Sequence, residues 1–192
     1  RLLALGDLVL YVAPDYGDID LWVSDGRASG TRLLGQLCGV SYCTLESWVS
    51  TGSLAFLRVE ESGYGEQRER IWRTDGTAAG TFPLTAALPA GGYWGDDETL
   101  ALAVAGSFVY FWLCDDDCKL WSSDGTVAGT QRLEDPASAA SGTALVVWGD
   151  EVCFLGWDTL WRASRRSGRI ELVRALPDST SGPASLVLAG DR

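Results

Sequence analysis

The stretch LWSSDGTVAGT, Leu120 to Thr130, decides the fold because the chain repeats it. Leu21 to Thr31 reads LWVSDGRASGT and Ile71 to Thr81 reads IWRTDGTAAGT. Leu160 to Arg169 reads LWRASRRSGR, one residue shorter and without the Asp-Gly-Thr. The anchoring tryptophans are Trp22, Trp72, Trp121 and Trp161. They recur at roughly 40 to 50 residues, a period that indicates blades, solenoids or arrays.

Working outward, each copy sits in the same order of landmarks. A short apolar segment ends in Gly plus a small or acidic residue: LLALGD (2–7), WVSTGS (48–53), LAVAGS (102–107) and LVVWGD (145–150). A dense apolar run follows: LVLYVA (8–13), LAFLRV (54–59), FVYFWL (108–113) and VCFLGW (152–157). Then come the Leu-Trp segment, its turn, and a last short run such as RLL (32–34) or IELV (170–173). Runs this short, rich in β-branched and aromatic residues and bounded by Gly, Asp and Ser, are strands. Each repeat is thus a four-stranded antiparallel meander.

The Gly-Asp and Gly-Ser pairs suit two-residue primed hairpin turns. In the turn after the Leu-Trp segment, Asp25, Asp75 and Asp124 supply a side-chain acceptor, and Gly26, Gly76 and Gly125 take the left-handed position. The second strands are apolar on both faces, so both faces need cover. Radial stacking of blades provides it, with the tryptophans filling between neighbours. The expectation is an all-β protein, a β-propeller of four-stranded antiparallel meander blades. Its repeats span about 1–44, 45–98, 99–143 and 144–184, and 185–192 starts a fifth. That trailing SLVLAGDR duplicates the leading RLLALGD, which favours four blades of a longer propeller over a closed ring. The chain contains no Met at all, and we expect it to be a piece of a longer polypeptide, without its signal peptide.

The three intact copies resemble the bacterial ELWxxDGT repeat, departing from it at Asp20, Arg70 and Lys119, where the repeat has Glu, and at Ser164-Arg165-Arg166. The likeness covers nearly the whole chain. It implies an exported or surface-attached bacterial protein folded as a propeller, and it carries no activity across. The turn is also similar in placement to the Asp-box of sialidase-type propellers, again with no catalytic residue transferred.

Composition narrows the function. The net charge of −11 excludes nucleic acid as a natural partner, since phosphate recognition needs clustered Lys and Arg. No apolar run approaches the roughly 18 residues that span a bilayer, so no membrane insertion of this segment is expected. Histidine is absent, which removes the usual general base and the commonest metal ligand. Four of the five cysteines form close pairs, Cys38 with Cys43 and Cys114 with Cys118. Local disulfides of an exported protein are favoured over a zinc site, because the pairs lie in different repeats. Cys153, in an apolar run, is expected to be a buried thiol.

In a propeller the tight turns emerge on one side and the irregular loops on the other, where binding usually resides. The irregular loops are acidic. They hold Asp15, Asp18, Asp20, Glu60, Glu61, Glu66, Glu69, Asp158 and the run Asp115, Asp116, Asp117, with Asp96 and Asp97 between repeats. These acids serve either as a solvated rim or as a ligand surface. Calcium at Asp115, Asp116 and Asp117 is the one cofactor considered, because consecutive carboxylates on a short loop are hard oxygen donors. Tyr16, Tyr42, Tyr64, Tyr93 and Trp94 offer aromatic contacts in the same loops. The resulting expectation is a non-catalytic extracellular or cell-surface module binding protein or glycan partners through the acidic face. The alternative is a glycoside-active propeller, hydrolase or lyase, using paired carboxylates. No spacing singles out such a pair, and a Ser or Cys nucleophile would lack its base.

Overall fold

The chain was analysed as a computed structural model, which describes residues 1–15, 17–39, 42–63, 66–89, 102–114, 118–134, 144–156, 158–176 and 186. Four antiparallel sheets follow one another along the sequence. Sheet 1 is β1 (Leu2–Leu5), β2 (Leu8–Asp15), β3 (Asp18–Ser24) and β4 (Arg32–Gln36). Sheet 2 is β5 (Cys43–Ser50), β6 (Ala55–Gly63), β7 (Glu66–Thr74) and β8 (Phe82–Pro83). A short extra strand, β9 (Leu88–Pro89), continues the pairing along β7. Sheet 3 is β10 (Ala103–Ala105), β11 (Phe108–Cys114), β12 (Cys118–Ser123) and β13 (Gln131–Arg132). Sheet 4 is β14 (Val146–Trp148), β15 (Glu151–Leu155), β16 (Thr159–Ser164) and β17 (Arg169–Ala175). Within each sheet the strands pair in chain order, the meander that the repeat predicts. The first strand of sheet 2 begins at Cys43, slightly ahead of the expected division at 44/45.

The turns form as their residues dictate. Gly6, Gly52, Gly106 and Gly149 all have positive φ at the hairpins between first and second strands. Gly26, Gly76 and Gly125, at φ 87°, 83° and 87°, take the left-handed position after the third. A bulge shifts the register between Leu21 and Trp22 in β3, and another between Leu160 and Trp161 in β16.

Three apolar cores lie between the sheets. Leu10, Leu21 and Val23 of sheet 1 meet Leu57 and Val59 of sheet 2. Phe56 and Ile71 meet Val109 and Phe111. Tyr110, Trp112 and Leu120 meet Val152, Phe154 and Trp161, with Trp112 edge-on to Phe154 at 5.0 Å. Residues of β11 and β15 are buried on both faces, which explains their unbroken apolar run. Sheets stacked face to face in sequence, each a four-stranded meander, are blades of a β-propeller.

The motif tryptophans report direction. Trp72 packs in the core between sheets 1 and 2, Trp121 between sheets 2 and 3, and Trp161 between sheets 3 and 4. Each therefore faces the preceding blade. Among the described residues Trp22 has none to face: it stacks on Tyr11 at 6.1 Å, and Leu2, Val9 and Leu33, which share its side of sheet 1, are exposed. The expectation that every motif tryptophan fills an inter-blade gap thus holds for three copies; Trp22 occupies the same register on an open face.

Candidate functional site

The repeated turn is built from a closed set of hydrogen bonds. In the third copy, Asp124 Oδ1 accepts from the Thr126 N–H at 2.9 Å and from the Thr126 hydroxyl at 2.7 Å. Ser123 and Thr130 hydroxyls join at 2.7 Å, and the Gly125 N–H donates to Ser123 Oγ at 3.0 Å. Asp75 repeats this with Thr77, and Asp25 accepts from the Arg27 N–H. These bonds hold the Asp75 carboxyl below its usual range, led by the Thr77 hydroxyl. At Asp124, burial pushes upward, but the Thr126 side-chain and backbone donors outweigh it and the net shift is downward.

The second glycine of the motif has its own reason. A Cβ on Gly30, Gly80 or Gly129 would stand 2.0–2.1 Å from an oxygen of Asp25, Asp75 or Asp124, so the carboxylate already occupies that space. The first glycine docks the turn onto the preceding blade. A Cβ on Gly76 would meet Leu8 Cδ1 at 2.9 Å, and one on Gly125 would meet Leu54 Cδ1 at 2.5 Å. Arginines of the preceding blade grip the same turns: Arg32 donates to Gly76 O at 2.8 Å and Arg73 to Gly125 O at 3.1 Å. The intact motif is a structural clasp.

On the opposite side, the structure redraws the acidic face. Asp18, Asp20, Glu60, Glu61 and Glu69 were expected in loops; they belong to strands, because β2–β3 and β6–β7 stay paired to their tips, Asp15 with Asp18 and Gly63 with Glu66. Two of these acids are buried and neutralised. Glu61 pairs with Arg70 at 3.2 Å. Glu69 pairs with Arg58, itself 1% exposed, and accepts from the Cys114 N–H at 3.2 Å. Arg58 also donates to Trp112 O at 2.9 Å, so this pair pins sheet 2 to sheet 3. One oxygen of Asp20 is enclosed and accepts no hydrogen bond. Asp158 is exposed.

Both expected disulfides are present, Cys38–Cys43 and Cys114–Cys118. An oxygen of Asp18 and the sulfurs of Cys38 and Cys43 lie within 4.8 Å of one another. That cluster is not a metal-thiolate site, since its sulfurs are bonded to each other. It does bring the β2–β3 tip against the link between sheets 1 and 2. Cys114 and Cys118 face each other across the β11–β12 hairpin. Asp115, Asp116, Asp117, Asp96 and Asp97 lie outside the described residues, as do Tyr16, Tyr64, Tyr93 and Trp94; Tyr42 is exposed. Cys153 is a buried free thiol, its pKa raised by burial.

A concavity that the repeat pattern did not single out lies on the tight-turn side, between sheets 3 and 4. It encloses about 600 Å³. Its walls are the β10–β11 hairpin with Phe108, the β14–β15 hairpin with Trp148 and Asp150, and the degenerate fourth turn with Arg165 and Arg166. The available signal was the substitution of Ser164-Arg165-Arg166 for Asp-Gly-Thr, which reads in sequence as wear.

No family model and no curated protein sequence matches the chain. Solved structures do. A puromycin hydrolase mutant complexed with PGG aligns over 92% of this chain and 29% of its own, at 14% identity and TM-score 0.55. A prolyl endopeptidase aligns over 91% and 26%, at 14% identity and TM-score 0.51. The likeness is one of fold. The chain spans less than a third of either structure, matching the propeller-like part of such peptidases. No helix among the described residues is long and apolar enough to cross a membrane.

Proposed function

We propose that this chain is a non-catalytic binding module of the cell exterior, a sector of a larger ELWxxDGT-type propeller that engages protein or glycan partners through its irregular face. The observation that carries the reading is that both disulfides close loops on that one face, at the sheet 1–sheet 2 link and at the β11–β12 tip. Disulfides persist in oxidising compartments, and loops this short gain local rigidity more than global stability. Rigid loops on a propeller scaffold favour binding, because a preorganised surface loses little entropy on association. The sector reading is supported by Trp22 and its exposed apolar neighbours, which repeat the inter-blade register of Trp72, Trp121 and Trp161. The glycoside-active alternative gains no support from Glu61 and Glu69, the two buried carboxylates of this face among the described residues, since arginines neutralise both.

The test is a glycan and protein-ligand screen with and without calcium, run in parallel on a variant carrying Asp115→Asn, Asp116→Asn and Asp117→Asn. Binding that is lost in the variant supports the acidic face as the site. Ligands that all bind the variant as they bind the parent remove the Asp115–Asp117 loop as the site.

A further inference from the structure

The degenerate fourth turn opens a space that the intact motif closes elsewhere. At the two preceding interfaces the left-handed glycine presses on the neighbouring hairpin, leaving no room for a methyl group between Gly76 and Leu8 or between Gly125 and Leu54. In the fourth copy Arg165 stands at the glycine position. Its backbone N–H donates to the Tyr110 hydroxyl at 2.8 Å, and its guanidinium lies 5.8 Å from the Phe108 ring centroid. The turn is held off the hairpin by a side chain, and the concavity of about 600 Å³ is the result. That volume falls in the range of small-molecule sites.

The charge of the walls is sorted. Arg162 is committed to Glu171 at 2.8 Å and to Glu151 at 3.8 Å. Arg169 faces Glu134 at 3.3 Å. Arg165 and Arg166 form no ion pair among the described residues; Arg166 is exposed, and the Arg165 guanidinium also donates to Gly129 O at 3.4 Å. Arg165 and Arg166, on consecutive residues, outnumber the one remaining carboxylate of the wall, Asp150, which leaves a local excess of positive charge in a chain of net charge −11, and planar guanidinium forks match carboxylate or sulfate oxygens. Beside them Trp148 is 60% exposed. An indole face open to solvent at the rim of a polar cleft suits a flat ring with axial C–H groups.

We propose that this cleft binds a sugar carrying an oxyanion group, carboxylate or sulfate, with Arg165 and Arg166 holding the anion and Trp148 stacking on the ring. The site lies opposite the irregular face and does not depend on the reading proposed above. Isothermal titration with three oligosaccharides of equal length tests it: one uronate, one sulfated, one neutral. An anionic sugar, of either kind, binds about tenfold or more tightly than the neutral one. Arg166→Ala and Trp148→Ala each weaken that binding by about tenfold, at unchanged melting temperature because both side chains are exposed. Which anionic sugar binds better identifies the group. Absence of binding by both anionic sugars overturns the proposal. So does equal binding of the neutral sugar, or parent-like binding by both variants. Loss of binding in the Asp115–Asp117 asparagine variant, with Arg166→Ala silent, places the ligand on the irregular face and also overturns it.

Discussion

The Arg58–Glu69 pair offers the sharpest test of how the blades are joined. Both groups are enclosed, at 1% and 6% exposure, and each also binds the next sheet through Trp112 O or the Cys114 N–H. Removing Arg58 strands the Glu69 carboxylate in the interface, which costs about 3–5 kcal/mol. Arg58→Met should lose that amount, a fall in Tm of roughly 6–20 °C for a chain of this length. The double variant with Glu69→Gln removes both charges of this pair, and the carboxamide oxygen still accepts from the Cys114 N–H. It should lose only about 1–2 kcal/mol, the cost of removing the hydrogen bond from Arg58 to Trp112 O. The double variant is therefore more stable than Arg58→Met alone, by about 2–3 kcal/mol. Guanidinium unfolding of the parent, Arg58→Met and the double variant measures this directly. A double variant no more stable than Arg58→Met would refute the reasoning, showing that the two side chains are solvated independently and do not bridge the blades.

Other outcomes follow from the turns, the tryptophans and the thiols. Gly129→Ala should cost about 1–3 kcal/mol because its Cβ meets the Asp124 carboxylate, whereas Gly35→Ala, with open space around it, should stay within about 0.5 kcal/mol; chemical denaturation compares them. Asp75 and Asp124 have native pKa values depressed below 3.8. The stability they contribute is complete above that value and is lost as pH falls through the depressed native values; the Asp75→Asn, Asp124→Asn variant should show a smaller loss in thermal melts between pH 5 and pH 2. Trp161→Ala, 4% exposed in the last core, should cost about 3–5 kcal/mol, and Trp22→Ala, on the open face, only about 1 kcal/mol. Equal losses would mean that Trp22 is covered. Without reductant, Cys153 should be the single titratable thiol and should react only after unfolding.

How far the sequence could be read follows from the range of each interaction. Asp124, Gly125 and Thr126 lie within three residues of one another, so their turn was legible from local chemistry. The same holds for the hairpin glycines, the strand pattern and the close cysteine pairs. Gly129 was not understood from sequence, because its need arises where the carboxylate of Asp124 folds back over it. The acids of β3, β6 and β7 looked like loop residues because hairpins paired to their tips carry polar ends. Arg58 hid inside an apolar run, since its partners stand 11 and 54 residues away.

By itself, then, the sequence determined the blade: a local meander whose strands, turns and disulfides are set by neighbours a few residues apart. The tertiary structure alone decided what happens between blades. There, among the described residues, Trp22 meets no preceding blade while Trp161 is buried, the Arg58–Glu69 pair reaches across to Trp112 O and the Cys114 N–H, and the worn fourth turn borders a concavity. Those outcomes depend on which surfaces stacking brings into contact: the recurring tryptophans announced the stacking, but not which particular side chains meet across 40 or more residues of chain.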